Sequence, residues 1–527
     1  MNTKRIVLII VIAIAILLRF YQLADFPRGF HNDEAAFGYN AYSLLLTGRD
    51  EFGVKLPLFL RSFNDYKLAV YSYITIIPVF FLGLTELSVR FATAFFGVLT
   101  ILGIYLLIKK YTNNYLLAIL TALVMVITPW HINLSRGVSE ATVAATLMIF
   151  GFLFLSYNKR FTTVTAAVLF IISLYTYHSS RVFLPIFILL ISLFLFRQKQ
   201  YFFLSVILII MTTLSFIMPG GGARFRETTI FSNNRETQLV LEQQVREDGS
   251  QNIFLTRYYH NKGINYFITM TEIIGKYLSY NFLLSDKVEP LRQRIPQTGL
   301  LFYWQVPFIL YALVRNYSKR TPTDKFFTYW LLVGFLPLIV VFAETPSIYR
   351  SMFLVIPLCY FTASGLISFF SRRGRVYTMI LILIIAYEFT HYLHQYYVHS
   401  LYDQPWYRRQ GMKEMVQTIN KNLNDYDKVI ITRAESAPHI FILFYGKYNP
   451  IKYWQEGSPM DLGDQGFGKY VFSGRDCPSQ IEELQQKTKR VKILYVDSGL
   501  CKNYDNNTRY DVIYRSDHTP VFNIVYD

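Results

Sequence analysis

Long apolar runs separated by short polar stretches occupy the first three quarters of the chain. They lie at 6–23, 88–108, 115–131, 141–157, 161–177, 182–196, 201–218, 298–315, 326–343, 349–368 and 376–394. About 20 apolar residues in a helix cover a hydrocarbon core of about 30 Å. Backbone polar groups in lipid must be bonded within their own segment, so these runs are expected to be helices. The fold class that follows is an α-helical polytopic membrane protein with about eleven transmembrane helices. A twelfth run, Leu68 to Leu84, is long enough to cross but carries Pro78 and several tyrosines.

Beyond residue 397 the pattern becomes that of a water-soluble domain. Asp427 to Arg433 and Val491 to Asp497 read as short strands, and Glu414 to Asn424 and Pro478 to Lys489 as helices. The expected division is therefore a membrane domain, 1–397, with large outer loops at 24–87 and 219–297, followed by an extracytoplasmic α/β domain, 398–527. Residues 6–18 follow Lys4-Arg5 like a signal peptide, but no small-residue cleavage site follows, and the segment reads as a retained first helix.

Charge orients the chain. Basic clusters at Lys4-Arg5, Lys109-Lys110, Lys159-Arg160, Arg197/Lys199, Arg315/Lys319/Arg320/Lys325 and Arg372/Arg373/Arg375 all fall on one side only if 68–84 does not cross. The excess of Lys and Arg in cytoplasmic loops thus makes 68–84 an interfacial or re-entrant helix. It places the N-terminus inside and 395–527 outside, in a multi-pass protein of the plasma membrane. The formal net charge of +17 is accounted for largely by these clusters, and no stretch interleaves basic and exposed aromatic residues, so nucleic acid is not an expected partner. Of three cysteines, Cys359 lies in an apolar run. Cys477 and Cys501 lie in the polar region, where an oxidising compartment would allow them to pair.

The first outer loop opens with Phe30-His31-Asn32-Asp33-Glu34 and continues as an amphipathic helical pattern expected to lie along the membrane surface. Asp33 either caps that helix or, beside Glu34 and His31, serves as a base facing a cavity. Three short outer loops hold one arginine each, with polar company. Arg136 follows His131-Ile-Asn-Leu-Ser and precedes Glu140, Arg181 follows His178-Ser-Ser, and Arg350 follows Tyr349. Orientation does not require them, and ionisable residues at membrane depth usually have a function. With Lys67 they would suit the phosphate of an anionic ligand. The alternative for each arginine is snorkelling to the interface. His391 and His394 with Tyr392 and Tyr396 fit an interfacial aromatic belt better than a metal site. No cofactor is expected, although the sequence leaves a divalent metal open.

At these residues the chain resembles the GT-C type glycosyltransferases, specifically the protein O-mannosyltransferase superfamily and the related bacterial aminoarabinose transferases. The resemblance rests on Asp33-Glu34 after the first helix, Tyr66-Lys67, and Gly83-Leu-Thr-Glu-Leu-Ser-Val-Arg90-Phe. It continues with His131-Ile-Asn-Leu-Ser-Arg136 followed by Glu140, and with Tyr349-Arg350 leading to Ile356-Pro357. It implies an inverting enzyme that takes a sugar from a polyprenyl-phosphate carrier and moves it to an acceptor hydroxyl on protein, lipid or glycan. It further implies that Asp33 is the base, that Lys67 and Arg350 hold the carrier phosphate, and that Glu140 stands where relatives often have Asp. The rival readings are a transporter or flippase of lipid-linked glycans, and a polymerase or ligase of surface glycans. A transporter would place charged or broken helices near the midplane in repeated halves, whereas the ionisable residues here gather towards one face.

Overall fold

The computed structural model describes residues 3–526, apart from 64, 197, 232–234, 250–252, 319–320, 342–343, 372–373, 461–465, 482–490 and 503. Arg197, Lys319, Arg320, Arg372 and Arg373 of the basic clusters, and most of the helix expected at 478–489, lie outside the described residues. Only a short 3-10 turn, Pro478–Gln480, is seen at the start of that stretch.

The chain divides into two compact units. One comprises Met1–Tyr21, Phe95–Ser135 and Ser139–Leu393, and the other Gln22–Ala94, Arg136–Val138 and His394–Asp527. The first outer loop thus belongs to the same unit as the C-terminal domain.

The first unit is helical. Four helices among the described residues are long and apolar enough to cross a membrane: Glu86–Thr112, Lys199–Ile217, Met352–Phe370 and Arg375–Leu401. A fifth is added if Tyr115–Ile127 and Pro129–Arg136, bent by 61° at their junction, count as one span. Length and composition thus identify four or five spans among the described residues, which leaves the expected count of eleven unconfirmed. Several of the expected runs are divided or shortened. Pro129 opens a new helix within one apolar run, the run at 182–196 changes to a π-helix at Ser192, and the run at 326–343 breaks after Gly334, before Pro337. A proline removes a backbone donor and clashes with the preceding turn, so a continuous hydropathy signal need not be one continuous helix. Helix Val70–Leu82 has 13 residues, about 20 Å at 1.5 Å per residue and well short of a span.

The second unit carries a six-stranded mixed sheet in the order β4-β5-β3-β6-β8-β7. Its strands are β3 (Lys428–Thr432), β4 (Gly466–Phe467), β5 (Tyr470–Ser473), β6 (Ile493–Ser498), β7 (Arg509–Tyr514) and β8 (Pro520–Tyr526). The earlier strands β1 (Phe59–Ser62) and β2 (Asp65–Leu68) form a separate antiparallel hairpin. β3 pairs in parallel with both β5 and β6. Parallel strands are covered on both faces and read as near-continuous apolar runs, which is why Lys428-Val-Ile-Ile-Thr and Ile493-Leu-Tyr-Val were recognisable as strands. Helix Met412–Asn422 matches the expected one closely.

Within this unit the outer-loop helix Asn32–Thr47, here α1, packs on helix Pro438–Tyr445, here α2. Gly38 permits the approach. A Cβ there would lie 2.5 Å from a Phe444 ring carbon and 2.6 Å from a Val89 methyl. The Tyr39 hydroxyl donates to the Tyr448 carbonyl at 3.0 Å, the Trp454 indole to the Asp50 carbonyl at 3.0 Å, and the Ser458 hydroxyl to the Glu51 carbonyl at 2.9 Å.

Cys477 and Cys501 are joined by a disulfide with Cα atoms 5.8 Å apart. It closes a loop across a separation of 24 residues, and such a closure is worth about 3 kcal/mol. Cys477→Ser is expected to lower the stability of the second unit by about that amount. Thermal unfolding of the full chain, with and without reductant, measures it. Equal melting of oxidised, reduced and substituted protein would show that the bond contributes nothing.

Candidate functional site

The start of α1 decides what Asp33 is free to do. The first backbone N–H groups of a helix lack partners inside it and need a cap. Here the cap is His31. Its Nδ1 accepts from the Asp33 N–H at 3.2 Å, and the Glu34 carboxylate accepts from the His31 N–H at 3.2 Å, which completes a capping box. Asp33 is therefore not the cap. Its carboxylate, 35% exposed, meets the Lys67 ammonium at 2.5 Å. Lys67 reaches it from β2, and its side chain is only 8% exposed. The ammonium also lies 5.2 and 5.0 Å from the Phe37 and Phe63 ring centroids, where ring faces attract a cation.

Glu34, one residue on, points elsewhere and is locked. Its side chain is 10% exposed and pairs with Arg90 at 3.0 Å. It also accepts from the Val138 backbone N–H at 3.0 Å. Burial alone would push this carboxyl up, but Arg90 and the bonds from Val138 and His31 outweigh burial and hold it below the usual carboxylate range. Arg90 further donates to the carbonyls of Leu23, Ala24 and Gly29. The two adjacent acids thus have different environments. One is accessible beside a cation, and the other is enclosed in a buried ion pair.

Glu51 was not anticipated from the sequence. It is buried, and the Asn40 side chain both donates to its carboxylate at 3.1 Å and accepts from its N–H at 3.0 Å. Asn40 lies seven residues beyond Asp33, two turns along the same face of α1. Burial pushes the Glu51 carboxyl up to about 8, Asp50 adds to the rise, and Asn40, Lys67 and Arg61 oppose it. The folded value lies above the ordinary 4.5, so the contribution to stability is complete below about 4.5 and is lost as pH rises through about 8. Wild-type melting temperature is expected to fall across that window, and Glu51→Gln, which cannot ionise, is expected to flatten the fall. Parallel melting curves for the two proteins from pH 5 to 9 would remove Glu51 from the account.

The remaining candidates are distributed over both units. Arg136, in the second unit, is fully buried. It donates to the Tyr396 hydroxyl at 2.9 Å and to the Phe26 carbonyl at 3.3 Å, and it lies over the rings of Tyr396 and Tyr397. Arg181, Arg350, Glu140, His178 and Tyr349 belong to the first unit. Arg181 donates to the carbonyls of Leu174 and Gly221 and lies over Phe216, lining a cavity of about 530 Å³ whose walls are otherwise mostly apolar. Arg350 bonds the Tyr277 hydroxyl. Tyr177, next to His178, lies within electrostatic reach of both Arg350 and Glu140, so these two gather in one neighbourhood. The Tyr349 hydroxyl accepts from Gln293 at 2.5 Å. His31, Asp33, Glu34 and Lys67 are brought together in the second unit. Among the described residues no three His, Cys, Asp or Glu side chains converge as a metal site would require.

No protein-family model matches the chain, and no curated protein matches it by sequence. Its fold does match solved structures. The archaeal oligosaccharyltransferase AglB from Archaeoglobus fulgidus, in complex with an inhibitory peptide and a dolichol-phosphate, is similar with a TM-score of 0.51 and 14% identity over 94% of this chain and 69% of that one. ArnT from Cupriavidus metallidurans, bound to undecaprenyl phosphate, is similar with a TM-score of 0.55 and 12% identity over 98% of this chain and 97% of that one. Both are GT-C glycosyltransferases, and theirs is the fold expected from the motifs around Asp33, Lys67, Arg136 and Arg350.

Proposed function

We propose, from the fold it shares with these two transferases, that this chain is a glycosyltransferase moving a sugar from a polyprenyl-phosphate carrier to an acceptor hydroxyl. The observation that carries the reading is the Asp33–Lys67 pair, a carboxylate that is not the N-cap of its helix and lies beside a buried cation. The acceptor oxygen attacks the anomeric carbon from the face opposite the phosphate. The bond from that carbon to the phosphate oxygen breaks, the bonding electrons leave with the polyprenyl phosphate, and the hydroxyl proton passes to Asp33. The anomeric centre inverts.

Lys67 has three N–H donors, and Asp33 is its one hydrogen-bonded or ionic partner among the described residues. The other donors suit a phosphate oxygen, and Coulomb attraction there is strong because little water screens it. Arg350, Arg181, Tyr349, Glu140 and His178 are proposed for donor binding on their sequence pattern alone. Glu34 and Arg136, whose hydrogen-bonding groups are engaged by protein partners, are positioning residues. The site is placed on the outer face of the plasma membrane, with the N-terminus cytoplasmic. The disulfide in the same unit supports that assignment, since such bonds persist in oxidising compartments.

The test uses the full chain in lipid nanodiscs and a panel of radiolabelled polyprenyl-phosphate sugars. Release of free polyprenyl phosphate from at least one of them, abolished in Asp33→Asn, is the expected result. Transbilayer movement of label with no bond cleavage would establish a flippase instead.

A further inference from the structure

We propose that the polar cavity of the second unit is a subsite for an uncharged saccharide of the acceptor. This rests on the glycosyltransferase reading above and adds to it the chemical class of the acceptor. The cavity holds about 440 Å³, within the range of about 300–1,000 Å³ usual for small-ligand sites. Such sites are mostly apolar, whereas this one is walled by charged and amide side chains.

The pairing of those charges selects the ligand. Lys413 contacts Glu86 at 3.0 Å, and the Tyr445 hydroxyl donates to the same carboxylate at 2.5 Å. Arg409 and Arg515 share Glu435. Arg28, Asp25 and Glu414 also line it and are exposed, and the side chains of these three make no hydrogen bond or ion pair among the described residues. Four cations are therefore balanced by four carboxylates. A phosphate or uronate would have to displace a carboxylate from Lys413, Arg409 or Arg515, or bind Arg28 in a lining that also holds two unpaired acids, and a metal ion at those acids would meet Arg28. A sugar hydroxyl needs neither exchange, because it donates and accepts at once. The rim groups Arg28, Asp25, Glu414 and Gln417 supply both roles, and Tyr514, 57% exposed, offers a ring face on which a pyranose can rest.

The cavity also lies close to the base. Phe30 lines it and precedes Asp33 by three residues, so at most about 11 Å of chain separates their Cα atoms. Gly29 lies in the wall at φ +88°, where a Cβ would fall 2.3 Å from the Arg408 carbonyl oxygen, so the backbone turns there at close quarters.

The test measures binding without donor, using the full chain in nanodiscs and an array of defined neutral glycans, acidic glycans and peptides. Retention of neutral glycans is expected, with Tyr514→Ala and Arg28→Ala each weakening it at least tenfold. Capture of acidic glycans or peptides alone, no capture, or capture unchanged in both variants would each overturn the proposal. If neutral glycans bind in this way while no labelled donor is consumed, the cavity assignment stands and the transferase reading fails. Donor consumption without saccharide binding gives the reverse.

Discussion

Asn in place of Asp33 is expected to give a chain that folds and binds its lipid carrier but transfers sugar ~10²–10⁴-fold more slowly, the range a positioned carboxylate contributes through proton transfer. The substitution leaves the helix start intact because α1 does not depend on Asp33 for its cap, and the Asn oxygen can still accept from Lys67. His31 and Glu34 satisfy the first turn, and Asn would in any case cap nearly as well as Asp. Carrier binding is not expected to weaken. Without the Asp33 carboxylate the Lys67 ammonium has lost a competitor for the incoming phosphate. Rates of sugar transfer and affinity for unlabelled polyprenyl phosphate, measured on the same preparation, separate the two effects. Turnover near that of the wild type would mean that another group takes the proton.

Arg90→Leu is expected to act on stability instead, and strongly. Glu34 would be left buried beside carbonyls that had shared its cation, and removing one partner of a buried pair typically costs about 3–5 kcal/mol. Adding Glu34→Leu removes the stranded charge, so the double variant should be more stable than Arg90→Leu alone. Unfolding titrations of the three proteins in mixed micelles give the comparison. A single variant as stable as the wild type would show that the pair contributes little, and a double variant worse than the single would show that packing, not charge, dominates there.

How much of this was legible beforehand depends on how local the signal was. Asp33 and Lys67 stood out individually, and their residue types suggested a base and a phosphate contact. The pairing of the two, across 34 residues, left no trace in the sequence. Arg90 was visible inside a motif, but nothing nearby identified Glu34, 56 residues away, as its partner. Glu51 was invisible because an acid following a helix ordinarily lies in solvent, and only the fold buries it. The parallel strands were readable because burial on both faces makes them uniformly apolar, as in Ile430-Ile431 and Leu494-Tyr495-Val496. The helix breaks at Pro129 and Pro337 were not, because hydropathy sums over a window and does not register them.

Tyr39 of α1 bonds the carbonyl of Tyr448, 409 residues later, and that separation sets an order of events during synthesis. At about 5–20 residues per second, the segment bearing Asp33 leaves the ribosome roughly 20–80 s before the surface on which it packs. During that interval Tyr39 lacks the Tyr448 carbonyl and Gly38 the Phe444 ring, so that part of the helix face is open to lipid, chaperone or protease. Asp33, the proposed proton acceptor, is thus made long before the surface that completes its helix's surroundings. A ribosome that stalls anywhere in between leaves a membrane protein with Asp33 present and its neighbourhood unbuilt.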